Sequence, residues 1–339
     1  MSRSIAVGVI LNPMAGRDIR RVVSAASLAS AADKVLTVRR ILAGVQALPG
    51  TRVLMVDDDA GYGQLVARAF PEGFVTLLKD EDPDQWLSAQ RTTAWARLLT
   101  AAGARVLVVV GGDGTQRNAA QAGVPVPLVP VAGGTNNVAC WTGDQTVAGL
   151  AAARVAEGRL DPAEVGWRAK LLHVRTPSGV EEVALIDVAL VRQPFTGALA
   201  VWHAGDVETL VLAVADPTRP GLSNIGGLVA PVGPEDEHGV WLDLDGPGQG
   251  RLRRDAVLAP GLLDTFWVRS HGTLPLDGER VLARRDGQGA SVALDGERTV
   301  VLRPGEEARV RIRRDGPWIV DPARVMAVLR TERGVADAR

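Results

Sequence analysis

The strongest chemical signal in the chain is the run Val106-Leu-Val-Val-Val-Gly111-Gly112-Asp113-Gly114-Thr115. A continuously apolar stretch predicts a strand covered on both faces. Here it leads straight into a turn of three glycines, one aspartate and one threonine. Glycine lets the backbone turn sharply and lets a phosphate approach with no Cβ in the way. The helix-compatible stretch Gln116 to Gln121 follows, so N–H groups at its start would favour an anion. A carboxylate inside a phosphate cradle is unfavourable unless it has a task. Two tasks fit Asp113: accepting the proton of an attacking hydroxyl, or holding Mg²⁺ together with phosphates. The competing reading is a tight turn that Asp113 caps locally.

The elements around this turn alternate strand and helix. Strands are predicted at Ile5 to Leu11, Arg52 to Val56, Phe74 to Leu78, Val106 to Val110 and Leu128 to Val131. Helices are predicted at Ala32 to Leu48, closed by Pro49-Gly50, at Gln64 to Phe70, after Pro83, and from an Asp144 cap to just before Gly158. Strands separated by helices of this length imply a parallel sheet with helices on both sides. Such sheets bind ligands at the carboxyl ends of their strands. That rule singles out three loops: Asn12 to Gly16, Gly111 to Thr115, and Ala132 to Asn137.

After about Ala163 helical periodicity weakens. Strand-like pieces recur between turn residues: Lys170 to Arg175, Val183 to Val191, Val207 to Val214, Val240 to Leu244, Thr265 to Val268, Gly289 to Leu294 and Ala308 to Arg313. The fold class expected is α/β followed by β. A Rossmann-like parallel-sheet nucleotide domain spans residues 1–160, and a mainly antiparallel β-sandwich substrate domain spans 161–320. A closing helix and tail, 321–339, would pack back on the first domain.

Composition excludes several classes. Of 339 residues, 38 are Lys or Arg and 39 Asp or Glu, so no basic field suggests nucleic acid or a membrane surface as partner. The runs Arg251 to Arg254 and Arg311 to Arg314 read as solvated strand faces. Cys140 is the sole cysteine, which rules out an intrachain disulfide, fits a reducing cytoplasm and argues against zinc. It reads as a small packed hydrophobe rather than a nucleophile. No apolar window approaches the length of a membrane span, and the N-terminal stretch is too short for a signal peptide.

The Gly-Gly-Asp-Gly-Thr turn after an apolar strand resembles the signature of the superfamily of NAD kinases and diacylglycerol or sphingosine kinases. The resemblance implies an ATP site between an α/β domain and a β-sandwich, with Asp113 as proton acceptor. Leu11-Asn12-Pro13-Met14-Ala15-Gly16 is similar to the superfamily's first phosphate loop. Pro130-Val131-Ala132-Gly133-Gly134-Thr135-Asn136-Asn137 is similar to a lipid-kinase loop, with Asn137 where those enzymes carry Asp. The resemblance therefore places ATP against Asn12, Gly16, Gly111, Gly112, Gly114, Thr115, Gly133, Gly134, Thr135, Asn136 and Asn137. Asp295-Gly296-Glu297 is similar to an acidic turn near the phosphates, which implies Asp295 and Glu297 as metal ligands. Read alone, Asp-Gly between strands is a hairpin turn.

A narrower resemblance is to the acetoin catabolism protein X group, a branch of the ATP-NAD kinase family. It rests on Gly133-Gly-Thr-Asn-Asn-Val138, Thr146-Val-Ala-Gly-Leu150, Phe195-Thr-Gly-Ala-Leu-Ala-Val-Trp202, Gly221-Leu-Ser-Asn-Ile-Gly-Gly227, Ala293-Leu-Asp-Gly-Glu-Arg298 and Asp315-Gly-Pro-Trp318. The tyrosine-containing dinucleotide loop of NAD kinases has no counterpart. Gly221 to Gly227 stands near the equivalent place, either as a glycine-rich loop between strands or with Ser223 and Asn224 hydrogen-bonding a ribose. The expected activity is phosphoryl transfer from ATP, with Mg²⁺, to a hydroxyl of NAD or a related small metabolite. Polyphosphate as donor, a nucleotide-binding sensor for acetoin metabolism, and a lipid kinase are the alternatives. The resemblance makes a homodimer reasonable.

Overall fold

A computed structural model describes residues 5–15, 30–80, 88–134, 137–193, 201, 203–246, 248–296 and 298–331. The first half alternates as the apolar pattern requires. Strands β1 (Ile5–Leu11), β2 (Thr51–Asp57), β3 (Val75–Lys79), β4 (Val106–Gly111) and β5 (Leu128–Ala132) pair in parallel, in the order β3-β2-β1-β4-β5. Helices α1 (Ala31–Gln46), α2 (Tyr62–Ala67), α3 (Ser88–Ala101), α4 (Asp113–Ala120) and α5 (Gln145–Glu157) connect or flank them. The expected helix start at Pro83 lies outside the described residues.

Both faces of the sheet are dry, which explains its unbroken apolar strands. Val106, Val108 and Val110 of β4 face one core with Ile41 and Leu42 of α1 and Ala152 of α5. Leu107 and Val109 face the other core with Trp95 and Leu99 of α3. Helices α1 and α5 cross almost backbone to backbone. A Cβ on Gly149 would stand 1.9 Å from the Ile41 carbonyl oxygen, and one on Gly44 would stand 2.0 Å from that of Thr146. Glycine at those two positions permits the crossing.

The second half is built from β6 (Gly166–Arg168), β7 (Leu171–Arg175), β8 (Glu181–Ala184), β9 (Asp187–Val191), β10 (Val207–Leu212), β11 (His238–Asp245), β12 (Leu252–Ala259), β13 (Leu262–Pro275), β14 (Glu279–Ala283), β15 (Ala290–Leu294), β16 (Arg298–Leu302), β17 (Glu307–Arg313) and β18 (Trp318–Val320). A seven-stranded sheet, β12-β13-β11-β10-β9-β15-β16, stacks on a four-stranded one, β14-β17-β7-β8. The core between them includes Leu172, Leu190, Val292, Val310 and Ile312. The basic run at the start of β12 is exposed at Arg251, Arg253 and Arg254, a solvated strand face as the sequence suggested.

Three details depart from the sequence reading. Strands β6 and β18 leave the sandwich and extend the parallel sheet beyond β5, so both chain crossings between domains are welded into the first sheet. The stretch Val183 to Val191 is two strands, interrupted at Leu185 and Ile186 because the Asp295 carboxylate captures their N–H groups. Gly221 to Gly227 is not an open loop: Leu222–Gly227 forms a short helix, α6. The closing helix α7 (Pro322–Thr331) starts behind Asp321, whose carboxylate accepts the Ala323 N–H, and packs Val325 into the first domain's core.

Candidate functional site between the domains

The sheet order reverses between β1 and β4, and open parallel sheets form their ligand crevice at such a point. The two strands release the first two candidate loops side by side. The Asn12 N–H donates to the Val110 carbonyl at 3.2 Å, and the Asn12 side-chain amide donates to the Thr115 hydroxyl at 2.9 Å. That hydroxyl folds back over Gly111, where a Cβ would come within 2.4 Å of it. Glycine at 111 is thus a packing requirement of the turn. The third loop joins through the Gly133 N–H, which donates to the Gly111 carbonyl at 3.1 Å. Asn137 folds inward: it accepts the Gly134 N–H at 3.0 Å and returns its own amide to the Gly134 carbonyl at 2.9 Å. Gly112 is the extended N-cap of α4, and Asp113, Gly114 and Thr115 form its buried first turn. Gly16, Thr135 and Asn136 lie outside the described residues.

Asp113 is 6% exposed and lies at the seam between domains, not on an outer surface. Its carboxylate accepts the Val138 N–H at 3.0 Å and the Ala139 N–H at 2.9 Å, one to each oxygen. These two bonds orient the carboxyl group. Asp113 borders a narrow crevice with Asp187, Gly221, Leu222, Asp295 and Gly296 of the second domain. Asp113, the three candidate loops and the β-rich wall therefore meet at one place.

Asp295 has a different role from the metal ligand implied by its acidic turn. It sits just after β15 with a positive φ of 49°, a conformation asparagine and aspartate tolerate better than most residues. Its carboxylate accepts N–H groups from Leu185, Ile186 and Asp187 at 2.7–3.2 Å and pairs with Arg117 at 3.5 Å. Burial pushes its pKa up, while the guanidinium and those N–H groups pull the other way. A carboxylate so engaged is a structural anchor. Glu297 lies outside the described residues. Among the described residues, no group of three or more His, Cys, Asp or Glu side chains is placed to hold a metal.

Ser223 and Asn224 are likewise spent on structure. The Ser223 hydroxyl accepts the Asp216 N–H at 2.9 Å and donates to the Val214 carbonyl at 3.0 Å. The Asn224 amide donates to the Pro217 carbonyl, and its oxygen accepts the Val257 N–H. The two side chains fasten α6 in place, and its leading residues Gly221 and Leu222 reach the crevice instead.

Sequence reasoning missed Lys34 and Arg117. Lys34 is 6% exposed on α1, and its ammonium donates to the Pro13 carbonyl, bracing the first loop. Arg117 stands one helical turn after Asp113, a spacing that puts both on one face of a helix and was visible in the sequence. Cys140 is buried, and burial together with the nearby Asp113 charge pushes its thiol pKa up, as befits a packed hydrophobe.

Comparison with known proteins agrees with this architecture. The family described as "Acetoin catabolism protein X C-terminal domain" matches residues 170–315. Acetoin catabolism protein X of Cupriavidus necator is 34% identical over 308 residues, which cover 82% of this chain and 84% of that protein. A Bacillus anthracis str. Sterne protein described as a diacylglycerol kinase superposes with a TM-score of 0.50 at 13% identity, covering 95% of this chain and 99% of the other. That likeness concerns the fold. Among the described residues no helix is long and apolar enough to cross a membrane. With a relative this similar over most of both lengths, the chain belongs to the acetoin catabolism protein X family.

Proposed function

We propose that the protein is an ATP-dependent phosphotransferase acting on a hydroxyl of a small metabolite, in the setting of acetoin catabolism that the relative's name suggests. The observation that carries this reading is the placement of Asp113. Its carboxylate is held by two backbone N–H groups at the crevice between the glycine-built cradle and the second domain. ATP would lie with its phosphates against the loops after β1, β4 and β5, which Asn12, Thr115 and Gly133 fasten together. The acceptor oxygen would attack the γ-phosphorus while Asp113 takes its proton. The bond from that phosphorus to the bridging oxygen would break, releasing ADP. Such transfer needs mainly positioning and charge stabilisation. Mg²⁺ would enter with the ATP phosphates, whose charge it would offset.

The test is Asp113→Asn. Transfer of γ-phosphate from labelled ATP to the acceptor should be lost, while ATP still raises the melting temperature as a ligand selective for the folded state does. Undiminished transfer in that variant would refute the assignment.

A further inference from the structure

Next to the Asp113 crevice lies a second, larger space of about 350 Å³ between the domains. The two adjoin. Val138 borders both, Ile186 borders the larger space while Asp187 borders the crevice, and Arg219 and Pro220 divide in the same way. Side by side, they present a carboxylate end and an apolar end. The half-buried indoles of Trp141 and Trp167 wall the apolar end, and both rings are held in place. The Trp141 N–H donates to the Asp144 carbonyl at 2.9 Å, and the Arg324 guanidinium lies 5.6 Å from the Trp167 ring centroid. Thr142 and Ala323, both exposed, mark the mouth.

The lining also carries Asp216, Arg219 and Asp321, and, deepest buried of its charged side chains, Lys170, 3% exposed. Its ammonium donates to the Gly233 carbonyl at 2.9 Å and the His238 carbonyl at 2.6 Å. An ammonium has three donors, so one remains for a ligand. Both partners are neutral, and burial pushes the Lys170 pKa down to about 8. An anion in the cavity would add direct countercharge to what Asp236 and Glu237 supply. Arg219 adds a loosely held cation, 3.8 Å from Asp216 and 3.3 Å from the Thr142 hydroxyl.

We propose that this cavity holds the body of the phosphoryl acceptor, a compact aromatic or branched apolar molecule whose anionic group meets Lys170 and whose hydroxyl points toward Asp113. The volume is at the lower edge of the roughly 300–1,000 Å³ range of small-molecule sites, which suits such a molecule and not a pair of long acyl chains. The inference rests on the phosphotransferase reading for the word acceptor, but the cavity's preference is testable by binding alone.

The experiment compares benzoate and indole-3-acetate with their neutral counterparts benzamide and indole-3-acetamide. Binding is followed by tryptophan fluorescence and thermal shift, with ATP as a separate ligand. The carboxylates should bind the wild-type protein about tenfold more tightly than the amides, as expected of a charge-assisted hydrogen bond. Lys170→Met should remove that preference, and Ala323→Trp, at the exposed mouth, should weaken all four probes. ATP should shift both variants as it shifts the wild type. Equal binding of carboxylates and amides, or unchanged probe binding in Ala323→Trp, overturns the proposal. If Lys170→Met does not fold, those two comparisons decide it. Carboxylate binding without any ATP response would leave the cavity assignment standing and remove the donor reading.

Discussion

Arg117 and Asp295 belong to different domains, and their side chains meet at 3.5 Å with 3% and 0% of their surfaces exposed. The Arg117 guanidinium also donates to the Leu294 carbonyl at 3.0 Å. Asp295 in turn holds the N–H groups of Leu185, Ile186 and Asp187. One helical turn from Asp113, the pair thus clamps the start of β9 and the end of β15 to α4.

Removing one partner from this pair leaves a buried charge uncompensated. Arg117→Ala should cost about 3–5 kcal/mol, read as a lower urea midpoint. Arg117→Met combined with Asp295→Asn should cost less than the sum of the single changes, because the residues share one network. Strict additivity would show that the clasp is not an energetic unit.

The Asn12–Thr115 bond joins loops 103 positions apart in sequence. Thr115→Val removes the hydroxyl at similar size and strands the Asn12 amide, a loss of about 1–3 kcal/mol for a buried unsatisfied donor. Thr115→Ser keeps the hydroxyl and should restore most of it. If the two loops form the phosphate cradle, ATP affinity measured calorimetrically should fall in the valine variant and recover in the serine variant.

Lys170 gives a pH signature. Burial, aided by Arg314 and opposed by Asp236 and Glu237, lowers its pKa from 10.5 to about 8. The folded state therefore binds this proton more weakly than the unfolded chain. Between those values unfolding takes up a proton, so this residue makes stability rise with pH, by at most about 1.4 kcal/mol per unit. Lys170→Met should lack that component. Urea titrations of both proteins at pH 7.5, 8.5 and 9.5 test it, and parallel slopes would contradict the assignment.

The α1–α5 crossing leaves no room for a side chain at Gly149, where the nearest atom is backbone. Gly149→Ala should destabilise the protein, because overpacking costs of about 1–3 kcal/mol exceed the roughly 1 kcal/mol that alanine gains over glycine inside a helix. A higher melting temperature for this variant would show that the helices can separate freely.

The first domain was legible from its residues because its signals are local. Apolar runs such as Val106 to Val110, the Asp144 cap and the glycines after β4 fix strand, helix and turn through short-range sterics and burial on both faces. The Asp113 turn was legible for the same reason, since the strand, the glycines and the helix start that shape it lie within ten consecutive residues. The partnerships of Asp295, Ser223, Asn224 and Asn137 were not. Whether a polar side chain serves a ligand or the protein depends on which donors and acceptors surround it, and for Asp295 those come from residues about 110 positions away. The groove beyond Asp113 belongs to the same class. It is lined by segments as distant in the chain as Val138, Ile186 and Arg219, and only tertiary packing brings them together.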